Sequence, residues 1–580
     1  MQRKRRRMSR EGLDNLRRII AAASGETPPD LVVKGGKVVN VFTSEVIEAD
    51  VAVAEGFVAG LGSYDGVHNI PAAGRYIVPG FIDGHYHIES SLVWPPELAR
   101  AVLARGTTGI VADPHEIANV LGKDGIRFML ESSRGLPVDF YFMLPSCVPA
   151  TEHETAGAEL SAGDLYGFRD RDRVLGLAEV MNYPGVVRGV PELLDKIEAF
   201  CDRVKDGHAP LLSGKDLNAY VAAGIRSEHE CTRLDEAFEK LRLGMHIMLR
   251  EGSQARNLRD LLPCVTPDTC RRCSLVSDDL HPADLLERGH LDYLVNLAIK
   301  GGVSPERAVA MASLNTAEYF RLWERGAVAP GYRADLLILK DIRPVRVETV
   351  IKDGRVVYHR GNILDTWKLA PPEGVSPMNI GPYDSSSFAV PVRGSRIRVI
   401  GIIPGQILTK SGTVDAPEEG GLCIADDRKD LAKIAVIERH RGTGNIGLGF
   451  AQGFGLRRGA LASSVAHDSH NIICIGCDDG DMYAAVRTVE EMKGGLAAVA
   501  GGTVLARLPL PVAGLMSDRP IGEVATAWKR LQAAAHELGC RIDEPFMILS
   551  FLALPVIPEL KITDRGLFDA AAFEHVSLFV

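Results

Sequence analysis

The stretch Val78-Pro-Gly-Phe-Ile-Asp-Gly-His-Tyr-His-Ile-Glu-Ser-Ser91 carries two imidazoles, His85 and His87, two residues apart. Residues i and i+2 of a strand point to one face, so this pair can grip a single metal ion. Tyr76-Ile-Val and Phe81-Ile supply the apolar lead-in of a buried strand, and Pro79-Gly80 marks where that strand starts. A lone His-x-His is a weak signal. It gains force because further ligand-type residues close later strand-like segments. These are Asp113 and His115 in Ala112-Asp-Pro-His-Glu, Glu179 in Leu177-Ala-Glu-Val-Met, His208 in Asp206-Gly-His-Ala, His229 in Ser227-Glu-His-Glu and Asp278 in Ser277-Asp-Asp. Neutral imidazoles with carboxylates suit Zn, Mn or Fe. Glu179 has two oxygens and can bridge two ions, while Asp278 can bind an ion and also accept a proton from water. A cation so held lowers the pKa of its water to about 7 and gives a nucleophile at neutral pH.

Those residues need a scaffold that brings strand ends together. Residues 79–325 alternate strand-like with helix-like segments, the helical candidates being Pro96–Arg105, Pro191–Val204, Lys215–Ala223, Thr232–Leu243 and Ser304–Ser313. A β/α alternation of about 250 residues predicts a (β/α)8 barrel, with its chemistry at the carboxyl ends of the strands. Residues 31–78 and 326–370 show short alternating runs broken by glycine, and predict one small β-sandwich domain built from both flanks. A Pro-, Ser- and Asp-rich link over 371–387 leads into residues 386–580, read as an additional α+β domain. Its strand Ile397–Ile403 and helices Asp481–Lys493 and Val524–Leu538 set that class. The fold class is thus α/β, with residues 1–30 as a basic and helical extension whose helix covers Asn15–Ala23.

In the last domain His467, Asp468 and His470 have ligand-like spacing. If the segment is extended, Asp468 and His470 face the same way, and His467 joins them only if the chain turns. The functional reading is a lid or an additional metal site at the barrel mouth, and the bland one a hydrogen-bonded His pair in a turn.

The chain has 580 residues, a net charge of −9, and 46% hydrophobic and 24% charged residues, a globular composition of two to four domains. An acidic balance argues against wholesale binding to nucleic acid or anionic membrane. No apolar run approaches the roughly 20 residues of a membrane span. The basic start Met1–Met8 lacks the apolar core of a secretory signal, so the cytoplasm is the expected compartment. Ten cysteines without regular spacing suit a reducing compartment. The pairs Cys270/Cys273 and Cys474/Cys477 lie too far apart in sequence for the usual zinc arrangement and read as incidental thiols.

Pro79-Gly-Phe-Ile-Asp-Gly-His-Tyr-His, the later His-His-Asp order and Pro330-Gly-Tyr-Arg-Ala-Asp-Leu-Leu-Ile-Leu together resemble the amidohydrolase superfamily. Longer stretches resemble its bacterial adenine deaminases: His87-Ile-Glu-Ser-Ser, Ala112-Asp-Pro-His-Glu-Ile-Ala-Asn-Val-Leu-Gly, Pro145-Ser-Cys-Val-Pro-Ala-Thr-Glu, Asp206–Tyr220 and Ser463–Ile472. The resemblance spans nearly the whole chain after the first thirty residues. It implies conversion of adenine and water to hypoxanthine and ammonia by a metal-activated hydroxide attacking purine C6. It further implies a divalent metal centre of two ions (Mn, Fe or Zn), ligated by His85, His87, Glu179, His208, His229 and Asp278 with Glu179 bridging. Asp278 would carry the proton from the attacking water to the departing amine. Glu89, Asp113 and His115 would handle proton transfer to the ring or hold a further ion. The implied partner is a small-molecule purine, with a homo-oligomer, a dimer in particular, as the expected assembly. The residues contacting the purine are not identified. The Cys270–Cys273 stretch and residues 1–10 fall outside the resemblance.

Four other readings compete. Cyclic-amide hydrolases of the dihydroorotase or hydantoinase type bridge their metals with a carboxylated lysine on the fourth strand, where this chain has Ala178-Glu-Val; Lys215 instead begins a helix. A deaminase of another 6-substituted purine would use the same centre. Zinc nucleobase deaminases need H-x-E with P-C-x-x-C, and Pro263-Cys264 is followed by Val-Thr-Pro without a second cysteine. A non-catalytic scaffold has no use for the intact ligand set.

Overall fold

The computed structural model describes residues 10–367, 375, 377–404 and 406–580. The basic start Met1–Met8 and part of the link over 371–387 lie outside them.

Eight short parallel strands carry the candidate residues. They are β1 (Phe81–Tyr86), β2 (Thr107–Ala112), β3 (Asp139–Leu144), β4 (Val174–Val180), β5 (Val204–Gly207), β6 (Ser227–Glu228), β7 (His246–Arg250) and β8 (Cys273–Val276). β1–β5 form one curled parallel sheet in sequence order, and β6–β8 a second. Hydrogen bonds cross both seams. Arg226 N donates to Lys205 O at 3.4 Å and Gly207 N to Ser227 Oγ at 3.1 Å between β5 and β6. Beyond β8, Asp278 N donates to His85 O at 3.1 Å, and Tyr86 and Asp278 form a parallel bridge. The strands are buried on both faces, as apolar strands under flanking helices must be.

Helices occupy the predicted intervals with ends shifted by one or two residues: Pro95–Leu103, Gly214–Ala222, Leu234–Arg242 and Pro305–Met311. The larger difference is at Pro191–Ala199, expected to run to Val204. Phe200 leaves the helix and buries its ring, and Val204 is already the first residue of β5. Apolar periodicity cannot separate a helix end from a buried strand start when a few residues join them.

The two flanks share one nine-stranded sheet. Tyr76–Pro79, from before the parallel strands, pairs antiparallel with Leu336–Ile342 from after them, with Val78 opposite Leu337. Val33, Val38, Val51, Ile77, Leu336 and Ile351 form its core. This arrangement anchors the lead into β1 beside the strand that follows the last of the helices after β8. At the amino terminus a helix spans Arg10–Ala23, longer than expected.

The carboxyl-terminal residues build an eight-stranded sheet packed against helices Asp479–Glu491 and Ile521–Glu537. This sheet-rich unit docks on the carboxyl side of the parallel strands. Ser517 N donates to Leu92 O at 2.8 Å and Trp94 N to Ser517 O at 3.1 Å, just after β1. Thr155, in the loop after β3, donates its N and Oγ1 to the Asp564 carboxylate at 2.9 and 2.7 Å. No helix among the described residues is long and apolar enough to cross a membrane.

Candidate metal centre

His85 is the penultimate residue of β1, and His87 follows its end. Strand alternation aims both rings inward, and their Nε2 atoms stand 3.2 Å apart. Asp278 lies two residues past β8 with φ +57°, a left-handed conformation that Asp tolerates better than most residues. That turn brings Asp278 Oδ1 to 3.2 Å from His87 Nε2 and 3.5 Å from His85 Nε2. Ligand atoms about 2.1 Å from one tetrahedral ion stand roughly 3.4 Å from each other. The three contacts match that spacing.

Glu179, inside the carboxyl end of β4, divides its oxygens. Oε1 faces His87 Nε2 at 3.5 Å and His115 Nδ1 at 3.6 Å. Oε2 faces His208 Nδ1 at 2.7 Å and His229 Nε2 at 3.3 Å. His208 and His229 follow β5 and β6 directly, and the His229 ring stacks on that of His85 at 3.9 Å between centroids. Asp113 and His115 follow β2 and stand 3.3 Å apart. Asp113 Oδ2, His115 Nδ1 and His229 Nδ1 are buried with no hydrogen-bond partner.

Carboxylates dominate the electrostatics. Burial opposes charging His208, but Glu230 and Glu179 outweigh it and lift its pKa to about 9. His87 and His115 are likewise raised well above the imidazole range, against burial, the first by Asp278 and Asp279 and the second by Asp113 and Glu116. Burial disfavours the charge of Glu179, yet His208 and His229 hold its pKa well below the carboxylate range. The cluster therefore draws positive charge to itself, and a divalent cation meets that demand without protonating its ligands. Donor types, spacing and unpartnered atoms all fit such an ion.

Glu89 lies just beyond. Its Oε1 accepts from Ile117 N at 3.0 Å, while Oε2 is buried and unpartnered. Burial and then Glu116 push its carboxyl up to about 7.

The segment His467–His470 turns instead of extending, with His470 N bonded to Ala466 O at 2.7 Å. The turn pairs His467 with His470, three apart, where an extended chain would pair Asp468 with His470. Both imidazoles converge on Glu116: His467 Nδ1 is 2.7 Å from Oε1, and His470 Nε2 is hydrogen-bonded to Oε2. Asp468 Oδ1 lies 4.0 Å from His115 Nε2. The carboxyl-terminal unit thus meets the cluster at the strand ends through side chains of ligand type.

Three residues of this region, Glu116, Arg250 and Glu230, carried no sequence signal. Glu116 sits at the start of helix His115–Leu121, where an acidic residue reads as ordinary capping. Arg250 ends β7, and its Nη1 donates to Asp278 Oδ2 at 2.8 Å while Nη1 and Nη2 bind Glu230. Asp83, buried in β1, accepts from His85 N and Ser277 N, each at 3.3 Å, and so ties β1 to β8. For Asp83 the period of two was available: it points to the same face as His85.

Two family models match this chain: "Amidohydrolase family" over residues 76–357 and "Adenine deaminase C-terminal domain" over residues 406–574. The chain is 52% identical to an adenine deaminase from Desulfatibacillum aliphaticivorans, covering 97% of this chain and 99% of that one. It is 49% identical to an adenine deaminase from Carboxydothermus hydrogenoformans, covering 96% and 98%. A crystal structure of an adenine deaminase is 15% identical over 57% of this chain and all of that one, with a TM-score of 0.45.

Proposed function

This chain belongs to the adenine deaminase family, and from that premise we propose that adenine is hydrolysed to hypoxanthine and ammonia at the centre where β1, β4, β5, β6 and β8 end. Adenine deamination by a metal-dependent amidohydrolase is the activity of the chain, which is 52% and 49% identical to such enzymes along nearly its whole length. The observation that carries the assignment to this centre is the division of Glu179: one oxygen toward His87 and His115, the other toward His208 and His229.

In this reading His85, His87 and Asp278 would hold one divalent ion and His208 and His229 a second, with Glu179 offering one oxygen to each group. Mn, Fe and Zn all suit the donors. Ions bound there supply Lewis-acid activation of water at neutral pH. Asp278 takes the proton from water as it adds to purine C6, then delivers it to the departing amine. Arg250, on Asp278 Oδ2, leaves Oδ1 turned to the centre. Glu89, with its unpartnered Oε2, exchanges a proton with a ring nitrogen. Asp113 and His115 either assist it or hold a further ion. His467, Asp468 and His470 make the carboxyl-terminal unit a lid that lends donors to the mouth.

Ring order and hydrogen bonds across both seams support a closed (β/α)8 barrel over 79–325. The shared sheet supports a composite β domain over 31–78 and 326–370, followed by an α+β domain over 386–580. Leu13, Leu16 and Ile20 leave an exposed apolar stripe on the first helix, which supports a homodimer.

The cyclic-amide alternative is disfavoured because Glu179 occupies the bridging position and Lys215 is an exposed residue of helix Gly214–Ala222. Ammonia release across a panel of 6-substituted purines, with protein reconstituted separately with Mn, Fe and Zn, tests the assignment. Stoichiometric metal with no release from adenine would revive the other hydrolases.

A further inference from the structure

Outside the ring of strands, a cavity of about 500 Å³ opens between the segment after β7 and the helices after β8. Three cations line it, each from a different helix: Arg259 of Leu258–Leu261, Lys300 at the end of Leu291–Lys300, and Arg307 of Pro305–Met311. No carboxylate lines it. None of the three cations is in an ion pair or a side-chain hydrogen bond among the described residues. Glu251, which Arg259 influences from a distance, is already paired with Arg288 at 3.3 Å. The rest of the lining is largely aliphatic, with Leu262, Leu297 and Val303 prominent.

This is not a face of the catalytic centre. The wall containing Leu262 runs on through Cys270–Arg272 into the amino end of β8, whereas Asp278 leaves the carboxyl end. Asn315 pins that entry, donating to the carbonyls of Cys270 and Cys273 at 2.8 and 2.7 Å. In a chain of net charge −9, three cations lining one cavity without an ion pair among the described residues form a local exception.

The volume falls in the range of roughly 300–1,000 Å³ typical of small-ligand sites. Two guanidinium forks and an ammonium match the oxygens of a phosphate monoester. The aliphatic wall has no use for a bare anion but suits the flat face of a base. We propose that this cavity binds a phosphorylated small molecule with a planar apolar part, a nucleoside monophosphate being the chemistry that meets both halves of the lining.

The test uses full-length, metal-loaded protein and calorimetric titration with AMP, adenosine and inorganic phosphate in separate arms. Saturable AMP binding is expected, with adenosine and phosphate each weaker by about tenfold or more. The triple variant Arg259→Gln/Lys300→Gln/Arg307→Gln should weaken AMP by about thirtyfold or more while adenine turnover stays unchanged, since none of the three touches the centre. Binding should also weaken as salt is raised, because it rests on exposed charges. AMP affinity unaltered in the triple variant would place the ligand elsewhere and overturn the proposal. So would phosphate binding as tightly as AMP, or no AMP binding at millimolar concentration.

Discussion

Arg250 Nη1 donates to Asp278 Oδ2 at 2.8 Å, on the oxygen opposite the one that faces His85 and His87. The guanidinium thereby fixes the rotation of the carboxylate, and with Glu230 it completes a buried charge set. Burial disfavours the Asp278 charge, but Arg250 and then His87 hold its pKa well below the carboxylate range.

Replacing Arg250 by Met removes that hydrogen bond and leaves two carboxylates without their cation. A hydrogen bond to a charged group contributes roughly 1.5–3 kcal/mol, so turnover should fall about 10- to 100-fold. The adenine KM should change little, because Arg250 meets Asp278 and not the substrate in this arrangement. Arg250→Lys should recover part of the loss. Steady-state kinetics with metal analysis of each variant decides it; turnover within about threefold of wild type would remove Arg250 from the mechanism.

Asp278→Asn keeps an oxygen toward His85 and His87 but cannot accept a proton. Most of the metal should stay bound while turnover drops by about two orders of magnitude or more. Near-normal turnover would refute the proton-carrying role, and complete metal loss would make Asp278 chiefly a ligand.

The fold and most of the candidate centre were legible because both obey short periodicities. His85 and His87 announce one strand face, and Glu179 and Asp278 stand at the ends of the apolar runs of β4 and β8, whereas β5 and β6, which His208 and His229 follow, are short and polar. Arg250, Glu116 and Glu230 were not legible. Each gains meaning only from a partner far away in sequence, Asp278 for Arg250 and His467 and His470 for Glu116. An isolated Arg at a strand end or Glu at a helix start has an ordinary local reading. The turn at His467–His470 was equally hidden, since side-chain spacing fixes a common face only once the backbone conformation is known.

Glu116 is buried between two imidazoles of the carboxyl-terminal unit and His115, which follows β2. Burial raises its pKa, but His467 and His470 outweigh that and hold it well below the carboxylate range. Glu116→Gln leaves the His467 imidazole, raised to about 9 against burial by Glu116, without its anion at the contact between the units. His470, pulled down to about 4 chiefly by burial, loses only a charged hydrogen-bond acceptor. Breaking a buried charge set in this way costs about 3–5 kcal/mol. Thermal unfolding should begin a few degrees lower. A melting profile identical to wild type would mean that the contact contributes nothing to docking.

Chelation offers a separate check on the centre. Removing the metal should abolish ammonia release, and added Mn, Fe or Zn should restore it. Ions that bind only the folded state stabilise it by about 2.7 kcal/mol at a free concentration one hundred times the dissociation constant, so the apoprotein should also unfold at a lower temperature. Full activity in protein shown by elemental analysis to lack metal would rule out the metal-dependent reading.

Lys561 supplies a prediction independent of catalysis. It is fully buried in strand Leu560–Thr563, and among the described residues its Nζ donates only to the carbonyls of Ile407 and Phe551, each at 3.0 Å. With no carboxylate to offset it, burial pulls the Lys561 pKa down to about 7. In the unfolded chain the group titrates near 10.4. Between those values the unfolded state binds more protons than the folded one, so this residue makes stability rise with pH, by at most about 1.4 kcal/mol per unit. Below about pH 7 both states carry the proton, and the contribution to the slope vanishes. Urea unfolding of wild type and Lys561→Met at about pH 7.5 and about pH 9.5 isolates the term, because every other group titrates equally in the two proteins. Wild type should gain stability relative to the variant across that interval, since Met has nothing to deprotonate. Equal slopes in the two proteins would mean that Lys561 keeps its charge when folded, and that two carbonyls suffice to hold an ammonium in that interior.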